Sequence, residues 1–144
     1  MIGPYGIGTY LSHLLPLLEK ADYRFRILHA PSYIPPKEKP SHVEYFPLNA
    51  PIYSIREQVA LLRKIPPCDL FWSPHYNIPL GPIRAKKRIV TLHDAYPLAH
   101  RLSLLKKGYA QLAMRAAVHL SDAIITNSHF SQTEIIRWTG AKAK

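Results

Sequence analysis

Lys86-Lys87-Arg88-Ile89-Val90-Thr91-Leu92-His93-Asp94-Ala95-Tyr96-Pro97 is the stretch that decides the fold. A short apolar, β-branched run between charge on one side and Pro97 on the other predicts a strand over Arg88 to His93 that is covered on both faces, as strands of parallel sheets are. His93 and Asp94 then stand at its carboxyl end, where ligands bind in open α/β sheets. A titratable pair there is placed for chemistry. The competing reading is a histidine that caps the strand and hydrogen-bonds neighbouring backbone.

Downstream, a helix is predicted from about Ser103 to Leu120, with Leu105, Tyr109, Leu112, Ala116 and Leu120 as its apolar face and Lys106, Lys107 and Arg115 elsewhere. Asp122 to Thr126 follows as a buried-type strand, closed by Asn127 and Ser128. Ser131-Gln132-Thr133-Glu134 has the capping-box pattern ahead of Ile135, Ile136 and Trp138, with Gly140 as the stop. Upstream, Asp69 to Pro74 is an aromatic and apolar strand that delivers His75, Tyr76 and Asn77 at its carboxyl end. A plain polar loop is the alternative for that trio. Ser54-Ile55-Arg56-Glu57 is a capping box with Ile55, Val59 and Leu62 behind it, and Pro66-Pro67 stops that helix.

Two further strands, Arg24 to Ala30 and Val43 to Leu48, flank a loop rich in proline and lysine. Ahead of them the glycines of Met1 to Gly8 feed a helical pattern carried by Leu11, Leu14, Leu15 and Leu18. A glycine turn entering a helix N-terminus presents unpaired N–H groups to a phosphate, although glycines also simply form turns. Pro16 interrupts the helical pattern and predicts a kink or a late start. Alternating strands and helices give an α/β class, a Rossmann-like parallel sheet with helices on both faces. The strand tips collect His29, His75, His93, Asp94, Asn127 and Ser128.

A length of 144 residues favours one domain, and 47% hydrophobic residues exclude a disordered chain. The net charge of +10 favours an anionic partner: phosphate, nucleic acid or an acidic membrane surface. Nucleic acid is disfavoured, because the basic clusters at Lys37 to Lys39, Arg84 to Arg88, Arg101 to Lys107 and Lys142 to Lys144 lack the interleaved aromatics of a strand reader. A single cysteine, Cys68, excludes a disulfide framework and fits a reducing, cytoplasmic compartment. No segment reaches the roughly 20 apolar residues of a bilayer span, so any membrane contact is peripheral, at the inner surface.

Taken together, Gly-Ile-Gly-Thr-Tyr-Leu-Ser-His-Leu-Leu (Gly6 to Leu15), Val-Thr-Leu-His-Asp (Val90 to Asp94) and Asp-Ala-Ile-Ile-Thr-Asn-Ser-His-Phe-Ser (Asp122 to Ser131) resemble the N-terminal domain of family-four retaining glycosyltransferases, one half of the GT-B fold. The resemblance covers nearly the whole chain. It implies a two-domain enzyme that moves a sugar from a nucleotide-sugar donor to a glycan or lipid-linked acceptor, with no metal or other cofactor. His93 and Asp94 match the reacting centre, Gly6, Gly8 and Ser128 the donor side, and His75 and Tyr76 the acceptor side.

The sequence also departs from that pattern. The glycines follow Met1 almost at once, whereas the resemblance leads one to expect a strand ahead of them, central in a Rossmann-like order. The C-terminal donor domain that the resemblance implies, with its basic residues and paired glutamates, is not among these 144 residues. That half is expected from a second domain or a second chain, and these residues alone are expected to be inactive. The reading from a different class is a non-catalytic basic module for anionic glycan, lipid phosphate or nucleic acid.

Overall fold

The computed structural model describes residues 6–51, 54–95 and 104–141. Where length favoured one domain, the chain divides into two compact units, Met1–Lys64 and Ile65–Lys144. Both are parallel sheets flanked by helices, the Rossmann-like α/β class expected.

In the first unit, α1 (Ile7–Leu18) leads to β1 (Phe25–His29), β2 (Val43–Pro47) and α2 (Ile55–Lys64). Gly6 precedes α1 with φ 60°, a left-handed backbone angle that glycine adopts without the strain of a Cβ. Helix α1 does not start late: it begins at Ile7 and runs through Pro16 to Leu18, so the missing Pro16 N–H falls in the last turn. β1 and β2 pair in parallel from Phe25 opposite Val43 to His29 opposite Pro47. The end of α1 is fastened to β2, since His42 Nε2 donates to the Glu19 carbonyl at 2.8 Å and the Tyr45 hydroxyl to the Glu19 carboxylate at 3.4 Å. Burial and the Glu19 charge push the Tyr45 phenol up to about 12.

The expected inner face of α2 is corrected by the structure. The Glu57 N–H donates to Ser54 Oγ at 3.1 Å, as the capping box requires, but Glu57 and Leu61 are the buried positions. Ile55 is 84% exposed and Val59 41%. The cap sets where the helix begins, and the i, i+4 pair Glu57 and Leu61 then takes the inside.

In the second unit β3 (Cys68–Ser73), β4 (Ala85–Thr91) and β5 (Ala123–Ile125) form a three-stranded parallel sheet in that order, with α3 (Leu104–Leu120) between β4 and β5 and α4 (His129–Thr139) after β5. β4 begins three residues earlier than expected and ends two earlier. Its ladder with β3 reaches back to Ala85, and at the other end Leu92 donates its N–H to the Ile125 carbonyl as β5 runs out. His93 therefore stands just past the strand. Pro97 and residues 101–103 lie outside the described residues, as do the side chains of Leu105, Lys106 and Lys107. Among the described residues β1 and β3, the neighbours expected of a first strand, each pair with one strand only.

The core of this unit gathers Ile78, Val90, Leu92, Ala95, Ala117 and Ile135, with Tyr76, Val118 and Ile124 packed around it. Each large aliphatic here contributes about 1.5–3 kcal/mol by leaving water. The face of α3 that joins this core differs from the one expected. Ala110, Ala113, Met114 and Ala117 are buried, whereas Leu112 is 62% exposed and Leu120 45%. Alanines at i, i+3 and i+7 bring the helix backbone close to its neighbours, so the small residues win the inside and the leucines turn outward. No helix among the described residues is long and apolar enough to cross a membrane.

Candidate functional site

The carboxyl ends of β3 and β4 carry the polar groups singled out in the sequence, and main-chain carbonyls fix how they are held. His93 Nε2 lies 3.1 Å from the Pro74 carbonyl oxygen. A carbonyl only accepts, so Nε2 bears the proton and the tautomer of a neutral His93 is fixed. On the other strand the Asn77 N–H donates to His75 Nδ1 at 3.2 Å, which leaves the proton of a neutral His75 on Nε2. Ser73 Oγ donates to the His75 carbonyl at 2.8 Å, and the rings of His75 and Tyr76 lie 4.0 Å apart between centroids.

His75 is pulled down to about 4 from the ordinary 6.5, first by burial and then by the positive charge of His93, while Asp94 acts in the opposite direction. At neutral pH this imidazole is uncharged. The two histidines and the carboxylate thus act on one another across the tips of β3 and β4. Tyr76 has a second duty, because its ring also packs against both apolar clusters of the unit.

The loop after β3 is held at several points. The Tyr109 hydroxyl of α3 donates to Asn77 Oδ1 at 2.8 Å, and Ile78 is fully buried. Arg88 sends its buried guanidinium to the Pro79 carbonyl at 2.8 Å and the Gly81 carbonyl at 3.2 Å. Trp72 Nε1 donates to Thr91 Oγ1 at 3.0 Å, joining the two strands just below their tips. A loop tied to a helix, the core and a buried arginine presents its side chains in one arrangement, as a binding surface needs.

Ser128 joins the same tips through α4. It is extended (φ −160°, ψ 156°) and its Oγ accepts the Ser131 N–H at 3.1 Å, so Ser128 is the N-cap. The capping box expected to start at Ser131 is displaced by one turn. Asn127-Ser128 reads as the end of a strand, yet the same serine also begins the helix, with only three residues in β5 before it. Gly140 ends α4 as expected, at φ 73° with its N–H on the Ile136 carbonyl.

Gly6 and Gly8 belong to the first unit, at the start of α1. His75, Tyr76, His93, Asp94 and Ser128 belong to the second. Sequence reasoning missed Arg88, read as the charged border of a strand, and the hydroxyls of Tyr109 and Ser131. Ser128 and Ser131 at i and i+3 across a strand-to-helix turn were the available sign. Among the described residues no three His, Cys, Asp or Glu side chains gather as metal ligands.

A family model described as Glycosyltransferase Family 4 matches residues 4–144. No curated protein matches the chain, and no solved structure does.

Proposed function

The chain belongs to Glycosyltransferase Family 4, and from that premise we propose that it is the acceptor-side, N-terminal domain of a retaining enzyme that transfers a sugar from a nucleotide-sugar to a glycan or lipid-linked acceptor. In this reading His75 and Tyr76 position the acceptor, and His93, with Asp94 beside it, meets the donor sugar at the reacting centre. Gly6, Gly8 and Ser128 serve the donor side, where N–H groups at a helix start suit a diphosphate. The rest of the donor site comes from a second Rossmann-like half outside these residues, with no cofactor required, so the chain alone transfers negligible sugar.

The observation that carries the proposal is the pairing of His75 and His93 across adjacent strand tips, each with its tautomer set by a backbone group. An uncharged His75 hydrogen-bonds a hydroxyl without the desolvation cost of a buried cation, which suits a sugar acceptor. In the complete enzyme, His93→Ala is expected to abolish most transfer while circular dichroism and melting of the protein stay close to those of the parent. Unchanged transfer would remove His93 from the site.

A further inference from the structure

We propose that Ser131 is the positioning residue for His93, its hydroxyl fixing the main-chain carbonyl of His93 and so the direction in which the imidazole points. The Ser131 side chain donates to the His93 carbonyl oxygen at 2.7 Å, and Ser131 is only 6% exposed. Ser128 Oγ lies 3.1 Å from Ser131 Oγ and 3.1 Å from the Ser131 N–H. One direction satisfies both serines: Ser128 donates to Ser131, Ser131 donates to His93, and the Ser131 N–H returns to Ser128. The chain of hydroxyls ends on His93, two residues past Thr91, the last residue of β4.

Three of the ties on the segment after β4 bear on the aim of His93. The Leu92 N–H bonds the Ile125 carbonyl at 2.9 Å, Ser131 holds the His93 carbonyl, and His93 Nε2 donates to the Pro74 carbonyl. The first holds the Thr91–Leu92 peptide as the strand ends, the second holds the His93–Asp94 peptide, the plane that leaves the His93 Cα, and the third is where the ring bonds when that plane is so held. Without the Ser131 hydroxyl the carbonyl loses a buried donor, and a turn of that peptide toward water carries the ring away from Pro74. The start of α4 and the reacting centre are thereby one mechanical unit. The functional meaning of the inference rests on the glycosyltransferase reading; the geometry does not.

The test is made on the purified chain by nitrogen-15 spectroscopy of the imidazoles, above the range in which histidine titrates. The parent should show His93 wholly as the Nε2–H tautomer. Ser131→Ala is expected to give a mixture of tautomers, and Ser131→Thr, which keeps the hydroxyl, to restore the single form. Ser128→Ala removes the helix cap but leaves the Ser131 hydroxyl on His93, so it should lower the melting temperature without changing the tautomer.

A single Nε2–H tautomer in Ser131→Ala, or an equal disturbance in Ser128→Ala, would overturn the proposal by showing that Ser131 serves the helix alone. If Ser131→Ala does not fold, Ser131→Cys, of similar size but a weak donor, is compared with Ser131→Thr, and identical tautomers in both would overturn it. None of these measurements needs sugar transfer. Their failure leaves the glycosyltransferase reading standing, while full transfer by His93→Ala in the complete enzyme removes that reading and leaves the geometry.

Discussion

Replacing His75 with Asn should flatten the acid side of the stability profile. Asn keeps an acceptor oxygen near the place where Nδ1 receives the Asn77 N–H, and it removes the titration. In the parent, the unfolded chain takes up a proton on His75 as the pH falls through 6.5, whereas the folded chain resists until about 4. Between those values the unfolded state binds more protons, so stability rises with pH across that window. The penalty is absent above the unfolded value and complete below the folded one. Fully developed, the gap corresponds to about 3 kcal/mol, of which about 2 kcal/mol appears between about pH 7 and about pH 5.

The assay is urea denaturation of the parent and His75→Asn at about those two values, comparing how much each loses. Histidines and carboxylates remote from His75 are the same in both proteins and cancel in the difference. The variant is expected to lose about 2 kcal/mol less on acidification than the parent. Parallel losses would refute the reasoning, and with it the claim that burial keeps this imidazole uncharged.

Arg88→Met removes charged donors from the Pro79 and Gly81 carbonyls while relieving the burial of a guanidinium; the opposing effects leave a net loss of about 2 kcal/mol and faster hydrogen exchange confined to residues 74–84. Unchanged exchange in that loop would show that Arg88 does not hold it. Ile78→Ala opens a cavity at a fully buried position and should cost about 3–4 kcal/mol in urea denaturation, a loss below about 1 kcal/mol arguing that the loop is not part of the core.

The parallel strands were legible because β-branched runs such as Ile89-Val90-Thr91 bury both faces and stand out from everything around them. Their ends were not, since an end depends on how far the neighbour runs: Ala85 enters β4 because it is paired with Cys68. The inner faces of the helices were misread for a related reason. Leucines at helical spacing look like a core stripe, and in α3 the alanines take that place because the close approach of the helix matters more than the hydrophobicity of each residue. In α2 the exposed Ile55 shows that an apolar residue in a capping box answers first to the cap.

The placement of His75, His93, Asp94 and Ser128 just past the ends of strands was legible in the sequence. The groups that orient them were hidden, because each acts through a main-chain atom. Ser131 reaches a carbonyl and Arg88 reaches two, and carbonyls leave no trace in the identity of the residues that bear them. Tyr109 was concealed differently, its ring fitting an apolar face while its hydroxyl serves Asn77.

The basic cluster at Arg84 to Arg88 takes on another meaning once the bonds are traced. Lys86 pairs with Asp69 at 2.7 Å, Lys87 with Asp122 at 2.8 Å, and Arg88 is buried against carbonyls. These cations border the amino end of β4, and the histidines stand beyond its carboxyl end. Seven residues of strand put roughly 20 Å between them, against a screening length of about 8 Å at physiological salt. Charge spent on local partners and screened over that distance does not set the potential at the strand tips. Lys86, Lys87 and Arg88 are therefore no argument for an anionic acceptor, and the tips themselves present two imidazoles, one held neutral by burial, beside the carboxylate of Asp94.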